Sequence, residues 1–285
     1  MATFSARRFA AVDTLIGLRD VEGTDRSLAH VSRDLRGERH PADYMYRNIP
    51  ALAPAEADVV ADTLAAMDAN GVAVGMLSLT HPSSAGAAAA HPDRFVLATQ
   101  VDPTDPMAAA RQVRRDHAVH DIRAVTLFPP GGHPAVAVDD PRTYVVYAAC
   151  VELDLPVFVT AGVPGPRVPF DSQHVEHFDQ VCYDFPELDV VLRHGAEPWD
   201  ELAVKLMIKW PNLHYSTSAF APRYYPSSII EFANTRGHHQ VLYGGYYPYA
   251  LELDRIFDEL AEVPFRDHVW PKFLRQNAAR LLHIT

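Results

Sequence analysis

The stretch from Pro156 to His194 decides the fold. It begins with the apolar run Pro156-Val-Phe-Val-Thr-Ala161 and ends with a second run, Asp189-Val-Val-Leu-Arg-His194. Between these runs, the apolar residues of 171–185 recur at helical spacing. Short apolar runs joined by a helical segment are typical of neighbouring parallel strands that are buried on both faces. The stretch is therefore predicted to form a strand–helix–strand unit.

The same alternation recurs along the whole chain, and a closing helix is predicted over 271–282. Eight such units close into a barrel more readily than they extend an open sheet, and 285 residues is a usual size for such a barrel. We therefore predict a single (β/α)₈ TIM barrel over residues 1–285, with an open doubly wound sheet as the alternative. The eight predicted strands are 9–16, 72–80, 95–101, 122–128, 156–161, 189–194, 213–217 and 240–244.

One long stretch, residues 19–53, lacks the barrel pattern. It is rich in charged residues and follows the first predicted strand. Long irregular segments inside compact domains usually serve binding or catalysis. We interpret 19–53 as a lid over the barrel mouth or as an interface loop, and a disordered insertion is the alternative.

The composition argues against several classes of protein. The formal net charge is −11 and no Lys- or Arg-rich run occurs, so nucleic acid is not an expected partner. No apolar run reaches the length of a membrane span, and no apolar segment follows the basic N-terminal residues, so a cytoplasmic protein is expected. Cys150 and Cys182 have no CxxC spacing and are predicted to be buried free thiols.

Candidate site residues lie where the predicted strands end, because the loops at the carboxyl ends of barrel strands build the active site. Asp13 follows the first strand and His81 the second, while Thr160 and His194 end the fifth and sixth. The histidine has an ordinary pKa near neutrality, which suits proton transfer. This edge of the barrel is therefore the expected site.

Two arginines in these loops are candidates for binding a substrate carboxylate. Arg167 follows the fifth strand and Arg223 follows the seventh. A guanidinium can grip a carboxylate through two parallel hydrogen bonds. A surface ion pair is the alternative for each of them.

Aromatic residues are concentrated around the last three strands. Trp199, Tyr224 and Tyr246 are the ones we select as substrate-binding candidates. Facing the mouth, they would line a flat apolar pocket for a ring-bearing ligand. The same residues would also suit helix packing or the interface of a homodimer, which is the expected assembly.

Several segments of the sequence resemble the amidohydrolase-related superfamily, in particular the group around aminocarboxymuconate-semialdehyde decarboxylase. The resemblance covers nearly the whole chain, and its order and spacing are fairly specific. The matching segments are Asp13, His91-Pro-Asp-Arg-Phe95, Leu155-Pro-Val-Phe-Val-Thr-Ala-Gly162, Val191-Leu-Arg-His-Gly195, Val241-Leu-Tyr-Gly-Gly-Tyr-Tyr-Pro248 and Phe273-Leu-Arg-Gln-Asn-Ala-Ala-Arg-Leu-Leu282.

The resemblance also implies that the usual metal ligands are missing. That family opens with Asp-x-His-x-His, where Leu15 and Gly17 stand here, and it has a His where Thr160 stands. It has an Asp at the eighth strand, where this chain has Tyr246. A zinc site needs three or four convergent donors, so neither a metal nor another cofactor is expected. A relocated set such as His81, His133 and His194 is the alternative.

The family resemblance gives His194 its expected role. In mononuclear members the corresponding His is typically a proton-transfer group, so His194 is the predicted general acid/base. Asp13 or Glu197 could orient it or share its proton. A histidine that only hydrogen-bonds the barrel rim, and a buried aspartate with satisfied hydrogen bonds, are the alternatives.

These observations predict a metal-independent amidohydrolase-like enzyme acting on a small carboxylated or ring-bearing substrate. Decarboxylation, elimination, hydration and isomerisation need only proton transfer, whereas hydrolysis needs an activated water that no residue here obviously supplies. Two other hypotheses stay open. One is a catalytically inactive barrel that acts as a binding or scaffold subunit, and the other is a metal-dependent hydrolase with relocated ligands.

Overall fold

The computed structural model describes residues 5–19 and 58–284. Eight parallel strands form a single sheet in which each strand pairs with the next in chain order. The strands are β1 Ala11–Asp13, β2 Val72–Ser78, β3 Phe95–Gln100, β4 Ala124–Leu127, β5 Val157–Thr160, β6 Val190–Arg193, β7 Leu213–Ser216 and β8 Val241–Leu242.

Helices connect the strands and pack around the sheet. In the described part of the chain they are α1 Val59–Asn70, α2 Ser84–Ala90, α3 Pro106–His120, α4 Pro141–Glu152, α5 His177–Asp184, α6 Asp200–Lys209, α7 Ser227–Thr235, α8 Leu253–Glu259 and α9 Asn277–Leu281. Asp58, Asp105 and Asp140 begin α1, α3 and α4 by accepting hydrogen bonds from backbone N–H groups of the first turn. Strand and helix thus alternate as the sequence predicted, and the TIM barrel is confirmed.

Closure of the barrel depends on contacts between the residues after β1 and those after β8. Ile16 and Tyr247 form a parallel bridge, and Gly17 donates its backbone N–H to the Tyr247 carbonyl at 2.7 Å. The Thr14 hydroxyl donates to the Tyr243 carbonyl at 2.9 Å. These bonds join the first and last strands, so the sheet is closed at its carboxyl end.

The interior of the barrel is filled by an apolar cluster separate from the one beneath the helices. Every strand except β7 contributes inward residues to it, among them Val12, Phe158 and Val191, and they are almost fully buried. Leu281 and Leu282, at the end of the last helix, pack against the same cluster. The closing helix therefore seals the end of the barrel opposite the carboxyl ends of the strands.

The predicted lid or interface loop, residues 19–53, lies outside the described residues except for Arg19. Its role stays a prediction, as does the extent of the domain over residues 1–285. Within the described ranges, none of the helices combines the length and apolar character that a bilayer crossing requires. Cys150 and Cys182 are buried free thiols, as predicted.

Candidate active site

A cavity of about 130 Å³, the mouth cavity, opens among the carboxyl ends of the strands. This is where a barrel of this type places its active site. Its volume is below the range of pockets for drug-sized ligands, so it suits a compound with a single ring. The described residues that line it are Leu15, Ile16, Met76, Leu77, Ser78, Thr80, Ala98, Gln100, Thr126, Arg193, His194, Tyr246 and Tyr249.

His194 lies directly after β6 and contributes its imidazole to this cavity. Its backbone is left-handed, with φ of 66°, which is uncommon for a residue other than glycine. Ser218 stabilises that turn, because its hydroxyl oxygen accepts the backbone N–H of His194 at 3.0 Å and lies 3.2 Å from Nδ1. Nε2 is therefore the ring nitrogen left for a ligand.

The pKa of His194 is held well below its ordinary value. Burial is the main cause, because it disfavours the charged imidazolium, and the neighbouring Arg193 guanidinium adds to the effect. A hydrogen bond with the Ser218 backbone opposes the shift in the pKa only in part. His194 is consequently an uncharged imidazole at neutral pH and can act as a base.

Arg193 is a site residue that the sequence reasoning missed. It occupies the last position of β6 and points into the barrel, two residues beyond the inward-facing Val191. Its Nε is buried and has no hydrogen-bond partner within residues 5–19 and 58–284. Burial lowers the pKa of Arg193, and Tyr246 and Tyr249 partly offset this, but a guanidinium stays charged in proteins.

Two tyrosines form the aromatic wall of the cavity. The Tyr246 ring meets the His194 ring edge to face, with centroids 5.5 Å apart and planes at 80°. Tyr249 packs on Tyr246 with a centroid separation of 5.4 Å. A side chain at Gly17 would overlap the Tyr249 ring, so this tyrosine occupies the space beside the end of β1.

Asp13 lies behind the cavity rather than in its lining. Its fully buried carboxylate accepts backbone N–H groups of Leu15 at 2.9 Å and Gly245 at 2.7 Å, and the Tyr243 hydroxyl at 3.2 Å. Burial raises its pKa to about 6, against the lowering effect of these three bonds. Asp13 thus joins the loops after β1 and β8, and this placement matches the alternative interpretation of a satisfied buried carboxylate.

Three predicted residues near β5 and β6 point away from the cavity. Thr160 donates its hydroxyl to Gln173 Oε1 at 2.8 Å. Glu197 is exposed, and Trp199 stacks against His174 with ring centroids 4.0 Å apart. The structure therefore does not bring Glu197 or Trp199 to His194.

The predicted arginines and Tyr224 also lie elsewhere. Arg223 is 52% exposed and forms an ion pair with Glu259, which accepts its Nε–H at 3.0 Å. Tyr224 is 64% exposed, and Arg167 is exposed in the loop after β5. Of the predicted binding residues in these loops, only Tyr246 lines the cavity.

His81 lies in a neighbouring cavity on the outer side of β2 and β3. Its Nδ1 accepts the backbone N–H of Ser83 at 3.2 Å. This second cavity also contains Gln112 and Asp116, and it shares Thr80 and Gln100 with the first. His81 is therefore adjacent to the mouth cavity but separated from His194.

Fold and site together define the class of protein, which is a TIM barrel with a partly buried histidine and an arginine at the carboxyl end of one strand. The family model described as amidohydrolase matches residues 28–284. The chain belongs to the amidohydrolase family, as its sequence predicted, and it is an enzyme of that superfamily. No curated protein matches the chain.

Solved structures share the fold over nearly the whole chain. An uncharacterized TIM-barrel protein from Bordetella bronchiseptica is 25% identical with a TM-score of 0.78, covering 96% of this chain and 98% of its own. The 5-carboxyvanillate decarboxylase from Sphingomonas paucimobilis is 20% identical with a TM-score of 0.70, covering 97% and 100%. The enzyme of the same name from Novosphingobium aromaticivorans, complexed with manganese, is 16% identical with a TM-score of 0.71, covering 97% of each chain.

The described residues around the cavity do not fit a metal ion of the kind that the last of these neighbours contains. Leu15 offers only hydrocarbon to the cavity, and Gly17 has no side chain beside the Tyr249 ring. The Thr160 hydroxyl is engaged with Gln173. Across residues 5–19 and 58–284, no three His, Cys, Asp or Glu side chains are grouped to hold a metal. The charged Arg193 in the same cavity would also repel a cation.

Proposed function

We propose that the protein is a metal-independent lyase-type enzyme that uses His194 as general acid/base on a small carboxylated, ring-bearing substrate. Decarboxylation is the reaction we favour. The observation that supports this best is the uncharged His194 imidazole in the mouth cavity, beside a guanidinium and an aromatic wall. Such a group takes up and returns a proton without help from a metal.

The contacts of His194 indicate the order of proton transfers. With Nδ1–H directed to Ser218, Nε2 keeps its lone pair and accepts the proton of a substrate hydroxyl. The imidazolium then gives this proton to the ring carbon that bears the carboxylate. Loss of carbon dioxide returns the bonding electrons to the ring and leaves a phenolate, which takes a proton from water. His194 ends uncharged, ready for another cycle.

The cavity supports a single-ring substrate. Its volume of about 130 Å³ is small, and Tyr246 and Met76 provide flat and apolar contacts for a ring. Ser78, Thr80 and Thr126 add hydroxyl groups for ring substituents. The similar 5-carboxyvanillate decarboxylases act, as their names state, on a carboxylated aromatic compound, which agrees with this choice.

The proposal assigns Asp13 a positioning role, since it fixes the loops that carry Leu15 and Gly245. It assigns no chemical role to the other predicted residues that point elsewhere, namely Glu197, Thr160, Trp199, Arg167, Arg223, Tyr224 and His81. Family membership and the mouth cavity do not favour an inactive scaffold. The donor chemistry of the described residues does not favour relocated metal ligands. The homodimer and the cytoplasmic location stay predictions.

The direct test is turnover of a panel of hydroxybenzoates and benzene dicarboxylates by the purified protein. Proton NMR in deuterated water would follow loss of substrate and solvent deuterium at the vacated ring carbon. We expect His194→Gln to lower turnover by about 10²- to 10⁴-fold while the far-UV circular dichroism stays unchanged. Equal turnover by wild type and His194→Gln, or none by wild type across the panel, would contradict the proposal.

A further inference from the structure

We propose that Arg193 is the carboxylate-binding group of the mouth cavity and the fixed cation on which this site depends. The inference rests on the proposed function, because it takes the mouth cavity as the substrate site. Its ligand is the carboxylate of a single-ring acid. In this contact the Arg193 guanidinium binds both oxygens of the carboxylate.

The first support is the unmatched charge of Arg193. Several other arginines among the described residues pair with carboxylates, as Arg94 does with Asp68 at 2.7 Å and Arg223 with Glu259. Arg193 has no carboxylate partner within residues 5–19 and 58–284, and its buried Nε has no hydrogen-bond partner there. An unpaired buried charge is costly for the folded state, so a ligand that pairs with it would bind with a large electrostatic gain.

The second support is the sign of the charge that lines the cavity. The described residues that line it include one arginine, and neither aspartate nor glutamate is among them. The carboxylate of Asp13, at the end of β1, accepts hydrogen bonds from Leu15 and Gly245 and does not line the cavity. The field inside the cavity is therefore positive and favours an anion over a cation.

The third support is shape. A guanidinium presents its N–H groups in a planar fork that matches the two oxygens of a carboxylate. Tyr246 and Tyr249 line the cavity on the β8 side, where their rings can cover an aromatic ring attached to that carboxylate. An aromatic acid satisfies both features at once, whereas phosphate would leave the aromatic wall uncovered.

The position next to His194 gives this contact a consequence for the reaction. Consecutive residues hold the acid group and the base, and both side chains line one small cavity. A carboxylate bound to Arg193 would offset the guanidinium charge that disfavours protonation of His194. Binding of the acid would thus prepare the imidazole to take its proton.

The test is binding of benzoate and of benzamide, its uncharged analogue of nearly the same shape, by calorimetry or ligand-observed NMR. We expect wild type to prefer benzoate by about ten- to hundredfold, the range for a charge-assisted pair. Arg193→Gln should remove the preference and keep benzamide binding, which shows that the cavity is intact. Arg193→Lys should keep part of it, and Arg223→Gln, an exposed arginine in another ion pair, should keep all of it.

The inference is overturned if wild type shows no preference for benzoate, or if Arg193→Gln retains that preference. Should Arg193→Gln fail to fold, the lysine variant decides, because an unchanged preference there would show that the forked contact is not used. The outcome is separable from that of the proposed function. A preference for benzoate without turnover would support the carboxylate site and contradict the lyase activity. Turnover that is unchanged in Arg193→Gln would support the lyase activity and contradict the Arg193 contact.

Discussion

The Ser218 hydroxyl oxygen lies 3.0 Å from the backbone nitrogen of His194 and 3.2 Å from Nδ1 of the same residue. A single side chain from the loop after β7 therefore fixes both the turn after β6 and the orientation of the imidazole. Such an outer hydrogen bond selects which ring nitrogen faces the ligand. This contact leads to the first of five predictions.

Replacing Ser218 with alanine should lower kcat by about tenfold or more with a smaller change in KM, because the imidazole loses its orientation while the cavity stays open. Steady-state kinetics on a turned-over substrate would measure this. Ser216→Ala is the matched control, since the Ser216 hydroxyl is buried without a hydrogen-bond partner within the described ranges. Equal losses in both variants would contradict a specific role for Ser218.

The activity should fall only in acid. The neutral form of His194 is the active base, and its pKa is well below 6.5 because of burial and then Arg193. As the pH falls through that lowered pKa, the ring is protonated and kcat/KM declines. In the complex, the substrate carboxylate offsets Arg193, so the acid limb of kcat should lie at a higher pH than that of kcat/KM. Coincident limbs, or an acid limb of kcat/KM above 6.5, would argue against this charge coupling.

The sequence was sufficient for the barrel because strands buried on both faces must be short apolar runs. All eight predicted strands are present. The start of β1 was wrong, since Phe9 ends a 3₁₀ turn and the left-handed Ala10, with φ of 50°, delays the strand to Ala11. The eighth strand is shorter than predicted, as the Tyr243 backbone N–H turns to the Phe273 carbonyl.

The site was less predictable, because pairing partners lie far apart in the chain. Arg223 was predicted to bind a substrate carboxylate. In the structure it forms an ion pair with Glu259, which is 36 residues away in the sequence. Arg193 looked like part of a strand. Its signal in the sequence was a charged residue at an inward position of an otherwise apolar strand. That signal becomes meaningful only in three dimensions, where no Asp or Glu is among the described residues that line the cavity.

Asp13→Asn should change the pH dependence of stability rather than remove the fold. The folded-state pKa of about 6 is above the ordinary 3.8, so the folded state binds the proton more tightly. Wild type therefore loses stability as the pH rises from about 4 to about 6, by about 3 kcal/mol, and the uncharged asparagine does not. Urea unfolding should show that the free energy of unfolding of the variant, relative to that of wild type, rises by that amount between about pH 4 and about pH 7. A constant difference would contradict the buried, ionising Asp13.

Removal of metals should leave the enzyme active. Leu15 and Gly17 provide no donor at the end of β1, and Arg193 opposes a cation in the cavity. Overnight dialysis against EDTA should therefore not change turnover, and added Mn²⁺ should not raise it. Elemental analysis of the freshly purified protein would accompany the assay. Activity lost to EDTA and restored by Mn²⁺ would contradict the metal-independent reaction.

Leu281 and Leu282 cover one end of the apolar cluster that fills the barrel, so small molecules cannot pass through the packed interior. Substrate and product must therefore use the same opening, at the carboxyl ends of the strands. The product must leave before the next substrate molecule binds, so product and substrate compete for the same site. Product added at the start of a reaction should then raise KM and leave kcat untouched.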